Sequence, residues 1–139
     1  MNRAAGIDVG GTKCLGVVLD ADSDVRSEQD IIRQVRQSTP RADKLVDALE
    51  LLVGELGDFD TIGVGVPGLI TLDGVMRASP NIPGSVDVAV GAELTRRLGR
   101  RVHVDNDGNL SALAEWRYGA GRGSKNMWMV TLEIGRAHV

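Results

Sequence analysis

Cysteine, proline and aromatic residues are all scarce in this 139-residue chain, which holds one Cys, four Pro, two Trp, one Tyr and one Phe. A lone cysteine, Cys14, makes no intrachain disulfide and leaves no cysteine-rich zinc site within the chain. A reducing compartment fits that count. Long apolar runs are missing too. The longest uncharged candidate, Thr61–Leu72, is broken by Gly and Pro and is far shorter than the ~20 residues a bilayer demands. No apolar stretch of signal-peptide length precedes Asp8. Excess charge of one sign is likewise absent: the net charge is −3 and the isoelectric point about 5.3, which argues against the basic face of a nucleic-acid binder. The expectation is a cytoplasmic protein with neither nucleic acid nor membrane among its partners.

Glycine is what the chain has in plenty. It holds 18, roughly twice the ~7% of an average protein, while a hydrophobic share of 42% is enough for an ordinary core. Glycine in a chain with a normal core tends to bring backbone close to something, so the positions of the glycines carry information.

Ala4–Asp8 reads as a strand ending in Gly10-Gly11, and Cys14–Leu19 as a second strand paired to it as a hairpin. Asp30–Val35 is a third strand candidate. Pro40 opens a helix in which Leu45, Ala48, Leu49, Leu52, Val53 and Leu56 fall on one stripe of period 3.6, and Gly57 ends it. Thr61–Val66 is a buried strand stopped by Pro67-Gly68. A hairpin about Asp73-Gly74 spans Leu69–Met76, and Ser79–Ser85 is a loop by composition. Val90, Leu94 and Leu98 mark a second helix closed by Gly99. Val102–Asp105 is a strand, Asn109–Tyr118 a helix with Leu110, Leu113 and Ala114 facing inward, and Met127–Leu132 a final strand. Strands that pair locally and then alternate with helices define an α/β protein with a mixed sheet and an antiparallel start.

Two motifs fail on context. Gly63-Val-Gly65-Val-Pro-Gly68 has dinucleotide spacing, but its first two glycines lie within a strand and no helix opens behind them. Small residues there fit a close approach of another segment or a ligand to the strand end. Asp105-Asn-Asp107-Gly-Asn109 starts like a calcium loop, yet Leu110 and Trp116 occupy the places of its Gly and Glu. Nor do His103 and His138 have partners at metal-ligand spacing.

Gly6-Ile-Asp8-Val-Gly10-Gly11-Thr12-Lys13 survives that test. An acid ends a strand, two glycines turn the chain, and a hydroxyl and an ammonium follow. Glycines able to take positive φ let backbone N–H groups converge on an anion. Thr12 adds a hydroxyl and Lys13 a charge, so Gly10–Lys13 reads as a phosphate cradle. Asp8 supplies a hard oxygen for Mg²⁺ through water. The second candidate is Val104-Asp105-Asn106-Asp107, which leaves a strand and enters a helix. An Asn there can bond a sugar hydroxyl in both directions and the adjacent Asp can take its proton, while either residue equally suits a helix N-cap.

DVGGTK (8–13), GVGVPG (63–68), SPNIPG (79–84), VDNDGN (104–109) and AEWRYGAGRG (114–123) together resemble the ROK sugar kinases, in their order and spacing, and among these the bacterial, actinobacterial-type glucokinases. The resemblance runs from about Gly6 to Leu132. It implies a ribonuclease-H-like lobe of the actin/hexokinase-like ATPase fold, and transfer of the ATP γ-phosphoryl to the 6-hydroxyl of glucose or a related hexose. By motif match Asp107 is the catalytic base. Gly68, Asn81, Asn106 and Asp107 bind the sugar, Gly10, Gly11, Thr12 and Lys13 the phosphates, and Asp8 serves Mg²⁺. A structural Zn²⁺ site, a second glycine-rich phosphate loop, the adenosine-binding lobe and a homo-dimeric or homo-tetrameric assembly belong to the full-length family pattern. The zinc ligands, the second phosphate loop and the adenosine-binding lobe are not found in this chain, which is expected to be one lobe, inactive alone. Gly108 departs from the family, which often has Ala there.

After Leu132 the family continues Gly-Thr-Gly-x-Gly-Gly, whereas this chain reads Glu133-Ile-Gly-Arg-Ala-His-Val139, like a translated short-read sequencing adapter. The expectation is that residues 1–132 form the lobe and 133–139 are non-native. A ROK transcriptional repressor is the competing class. It carries a helix-turn-helix ahead of the lobe, where five residues precede Gly6 here. Fructose, N-acetylmannosamine and a polyphosphate donor stay open within the kinases.

Overall fold

The computed structural model describes residues 2–23 and 27–132. The proposed non-native segment 133–139, with His138, lies outside them. The first two strands, of seven and eight residues, already decide the layout, because every second position is small or apolar and buried. Strand β1 (Arg3–Val9) buries Ala5, Ile7 and Val9, and β2 (Lys13–Asp20) buries Cys14, Gly16 and Val18. The alternate positions, among them Gly6, Asp8, Leu15 and Val17, turn to the opposite face, as a period of two requires.

Strand β3 (Ile31–Ser38) pairs antiparallel with β2, and β2 with β1. β4 (Thr61–Val66) then lies parallel to β1, and β8 (His103–Asn106) parallel to β4. The sheet order is β3-β2-β1-β4-β8, a mixed sheet with the expected antiparallel start. A second small sheet is made of β5 (Leu69–Ile70), β6 (Met76–Ala78) and β7 (Val86–Val88). The hairpin about Asp73-Gly74 is therefore present. β7 is an addition that its Ser-Val-Asp-Val setting did not announce.

Helix α1 (Ala42–Leu56) covers the face of the sheet that carries the buried positions. Leu45, Leu49, Leu52 and Leu56 are almost fully buried and belong to one core with Val9, Val18, Val64 and Val66. A Cβ at Gly16 would overlap Leu52, so that glycine lets the helix lie down on β2. Helix α2 (Val90–Leu98) adds Val90 and Leu94 to the same core, and Gly99 closes it in the left-handed conformation.

Helix α3 (Asp107–Tyr118) sits on the other face and packs mainly on β4 and β8. This corrects one expectation. Leu110 is half-buried, but Leu113 and Ala114 are exposed, because α3 crosses the sheet near its β8 edge and leaves Leu15 and Val17 of β2 uncovered by it. A second correction concerns Met127–Leu132, which form no strand. A strand needs a ladder partner, and no described strand pairs with this segment. Trp128, Val130 and Leu132 stand exposed.

Candidate active site

The register of the parallel strands assembles the site. Asp8 of β1 lies opposite Gly65 of β4, and Gly65 opposite Asp105 of β8. All three fall at the carboxyl ends of parallel strands, where open α/β sheets gather ligands. Asp8 alternates with buried Ile7 and Val9, so it is on the face that α1 leaves free.

Gly65 is the spacer. A Cβ there would stand 3.3 Å from Leu110 Cδ1 and 3.5 Å from Asp107 Cα, so the bare glycine admits the first turn of α3 onto the sheet. Asp107 arrives beside Asp8 as a result. The two carboxylates line one cavity of about 440 Å³ with Gly63, Gly65, Leu15, Val17 and Leu110. Residues 99 apart in sequence thus face one space. The arrangement marks Asp8 electrostatically: partial burial first, and then the negative charge of Asp107, raise its carboxyl above the ordinary carboxylate range.

A raised acid makes a statement about stability. The ionised Asp8 carboxylate costs the folded state desolvation and repulsion that the unfolded chain escapes. The cost is present above the raised folded pKa and vanishes below the ordinary unfolded value of ~3.9, where both states are protonated. Asp8→Asn is therefore expected to raise the melting temperature at pH 7, the gain disappearing below about pH 4. Melting curves across that pH range check it, and an unchanged or lowered midpoint at pH 7 would count against the coupling.

Asn106 caps α3. Its side-chain oxygen accepts from Asn109 N at 3.1 Å and its Nδ2 donates to Gly68 O at 2.8 Å. The cap reading is thus realised, and the same amide ties the helix start to the loop after β4. Asp107 Oδ1 accepts from Gly108 N at 2.8 Å. Asp105, in the candidate segment but without a role of its own from the motif, accepts from Asn106 N at 2.7 Å and Asn109 Nδ2 at 3.3 Å, and so steadies the turn into α3.

Gly68 takes φ +96, and a Cβ on it would overlap Ala78 O and crowd Ser79. The segment bearing Asn81 is thereby held against the β4 exit. Ser85 Oγ accepts from Ser79 N at 2.8 Å and donates to Ser79 O at 2.7 Å, closing the Ser79–Ser85 loop. Asn81 is half-buried in it.

Gly10–Lys13 form the turn between β1 and β2, one step beyond Asp8. Gly10 N donates to Lys13 O at 2.9 Å, and a Cβ at Gly10 would stand 2.8 Å from that same oxygen. The expected reason for the glycines needs correcting here: positive φ occurs at Gly68, Gly74 and Gly84 among others, but at neither Gly10 nor Gly11. Close backbone approach, rather than handedness, selects Gly10. Gly11, Thr12 and Lys13 are exposed, and the Gly11 and Thr12 N–H groups make no backbone hydrogen bond among the described residues. These two donors sit in an exposed turn. Thr39, just past the end of β3, also touches this turn and carried no signal in the sequence.

Carboxylates lining one cavity suit a cation that keeps several waters and takes one or two carboxylates with the phosphates of a nucleotide. Asp8, the carboxylate beside the Gly10–Lys13 turn, fits Mg²⁺ in that sense. No group of three or more His, Cys, Asp or Glu able to hold a metal occurs among the described residues. No helix among them is long and apolar enough to cross a membrane.

A mixed five-stranded sheet, a glycine turn after its first strand and acids at neighbouring strand ends define a ribonuclease-H-like lobe of the actin/hexokinase-like ATPase fold. The pattern of the ROK family matches residues 4–136, and the chain belongs to that family. It is 30% identical to a glucokinase of Thermotoga maritima, over 96% of this chain and 42% of that protein. It is 37% identical to an N-acetyl-D-glucosamine kinase of Erwinia tasmaniensis over 79% of this chain and 36% of the relative. The structure of a ROK family glucokinase from Streptomyces griseus, in complex with glucose and AMPPNP, superposes with a TM-score of 0.74 at 31% identity, covering 88% of this chain and 38% of that one. The chain spans less than half the length of the relatives it matches.

Proposed function

We propose that the full-length protein transfers the γ-phosphoryl of ATP to the 6-hydroxyl of a hexose, glucose first among them. The observation that carries this reading is the meeting of Asp8 and Asp107 across Gly65 in one cavity, one step from an exposed turn whose Gly11 and Thr12 amides make no backbone hydrogen bond among the described residues. The relatives that act on glucose and N-acetylglucosamine support it.

In this reading Asp107 accepts the proton of the sugar hydroxyl as its oxygen attacks the γ-phosphorus and ADP leaves. Asn106 and Asn81 hold the sugar, with the Gly68 turn fixing both at the strand end. Gly10, Gly11, Thr12 and Lys13 receive the phosphates through N–H groups, a hydroxyl and an ammonium. Asp8, on the cavity it shares with Asp107, would hold Mg²⁺, which would supply neutralisation of phosphate charge. Phosphoryl transfer asks mainly for such positioning and neutralisation.

The 37% identity to an N-acetyl-D-glucosamine kinase favours one second reading, in which the hexose is an N-acetylhexosamine. Steady-state assays of the full-length protein with glucose, N-acetylglucosamine, N-acetylmannosamine and fructose, each with MgATP and with polyphosphate, separate the two. Glucose with ATP is expected to give the highest kcat/KM. A higher value for N-acetylglucosamine selects the second reading, and transfer to none of these sugars overturns both.

A further inference from the structure

The β1–β2 turn can welcome an anion only if its carbonyl oxygens point elsewhere. Three of them are engaged. Gly10 O accepts from Thr39 Oγ1 at 2.7 Å, Thr12 O from Thr39 N at 2.9 Å, and Lys13 O from Gly10 N at 2.9 Å. Two of the three are therefore taken by Thr39, which reaches the turn from just past the end of β3, 29 residues beyond Gly10. The Thr39 hydroxyl has a single hydrogen, and Gly10 O can only accept. Cys14 Sγ, 3.4 Å from Thr39 Oγ1, must then be the donor in that contact. The result is a directed chain, from Cys14 S–H to Thr39 O–H to the Gly10 carbonyl. Cys14 is fully buried, and burial is the main cause that pushes its thiol pKa up, so the sulfur keeps the hydrogen that the chain needs.

We propose that Thr39 is a positioning residue for phosphoryl-donor binding. Its hydroxyl and N–H turn the Gly10 and Thr12 carbonyls inward, so that the Gly11 and Thr12 amides face the nucleotide phosphates. It touches neither sugar nor Asp107. The inference rests on the sugar-kinase reading and names a part that reading does not use. Without the hydroxyl, the Gly10 carbonyl is released and brings partial negative charge to the place where phosphate binds.

The test is steady-state kinetics of the full-length protein. Thr39→Val, nearly the same shape, is expected to raise the KM for ATP about tenfold, the scale of one lost hydrogen bond with an exposed acceptor left behind. The KM for the sugar and kcat are expected to stay within about twofold. Thr39→Ser restores the hydroxyl and returns the ATP KM to within about threefold of the parent. Titration with MgATP in the absence of sugar is expected to follow the same order. An unchanged ATP KM in Thr39→Val, a parallel rise in the sugar KM, or failure of Thr39→Ser to restore would overturn the proposal. Should Thr39→Val give no soluble protein, Thr39→Ala carries the same prediction, and failure of both to fold makes Thr39 a structural residue and ends the idea. A parent protein that phosphorylates sugar while Thr39→Val leaves ATP binding intact sinks only the Thr39 assignment. A parent that neither phosphorylates sugar nor binds ATP sinks the sugar-kinase reading and the assignment with it.

Discussion

Asp107→Asn in the full-length protein is expected to lower kcat by about 10²–10⁴-fold, the usual worth of a positioned general base, while the sugar's dissociation constant moves by less than about threefold. The substitution keeps an Oδ1 able to accept from Gly108 N, so the start of α3 and its cap by Asn106 are preserved. Only the capacity to take a proton is removed. Kinetics beside direct sugar titration measure the two quantities separately. An equal loss of turnover and sugar affinity would mean that Asp107 acts as a sugar ligand and not as the base.

Gly65→Val is expected to be nearly as severe for a different reason. The site depends on a glycine that contacts no substrate in this account. With a Cβ already 3.3 Å from Leu110 Cδ1, the two further methyl groups of Val have no room, and the first turn of α3 must lift from the sheet. Overpacking of this kind costs about 1–3 kcal/mol of stability. Its effect on activity is larger, because a displacement near 1 Å at a reacting group can cost about 10²-fold. Gly63→Ala is the natural control on the same strand face, since a Cβ there meets nothing nearer than 3.9 Å. Activity and melting temperature of the pair should separate sharply. Similar values for both would show that Gly65 does not set the Asp8–Asp107 spacing.

Much of this was written in local pattern. The stripe Leu45, Leu49, Leu52, Val53 and Leu56 specifies α1 and its buried face, and alternation specifies β1, β2 and β4. The acid–glycine–glycine–hydroxyl–ammonium order marks the turn after β1, and glycines inside β4 signal a close approach that Gly65 indeed makes to α3. What was not legible depends on pairing between distant segments. Leu113 and Ala114 have helical spacing for a buried face, but where α3 crosses the sheet decides their exposure. Met127–Leu132 has strand composition and no described partner. β7 has three residues and gains its identity only from β6. Thr39 reads as an ordinary residue before a proline, and the β2–β3 register alone brings it to Gly10. The glycine pair was legible as a tight turn, yet for the wrong physical reason, since contact with the Lys13 carbonyl and not positive φ excludes a side chain at Gly10.

The central claim is that Asp8 and Asp107 form one charge-coupled centre at the ends of parallel strands. Its most direct test is the titration of the Asp8 carboxyl, followed by NMR, in the intact protein and in Asp107→Asn. An Asp8 pKa above the ordinary carboxylate range is expected in the parent, with a fall toward that range when Asp107 loses its charge. The fall should stop short of the ordinary value, because burial is the larger cause. An Asp8 titration that is ordinary in the parent, or indifferent to Asp107→Asn, would contradict it.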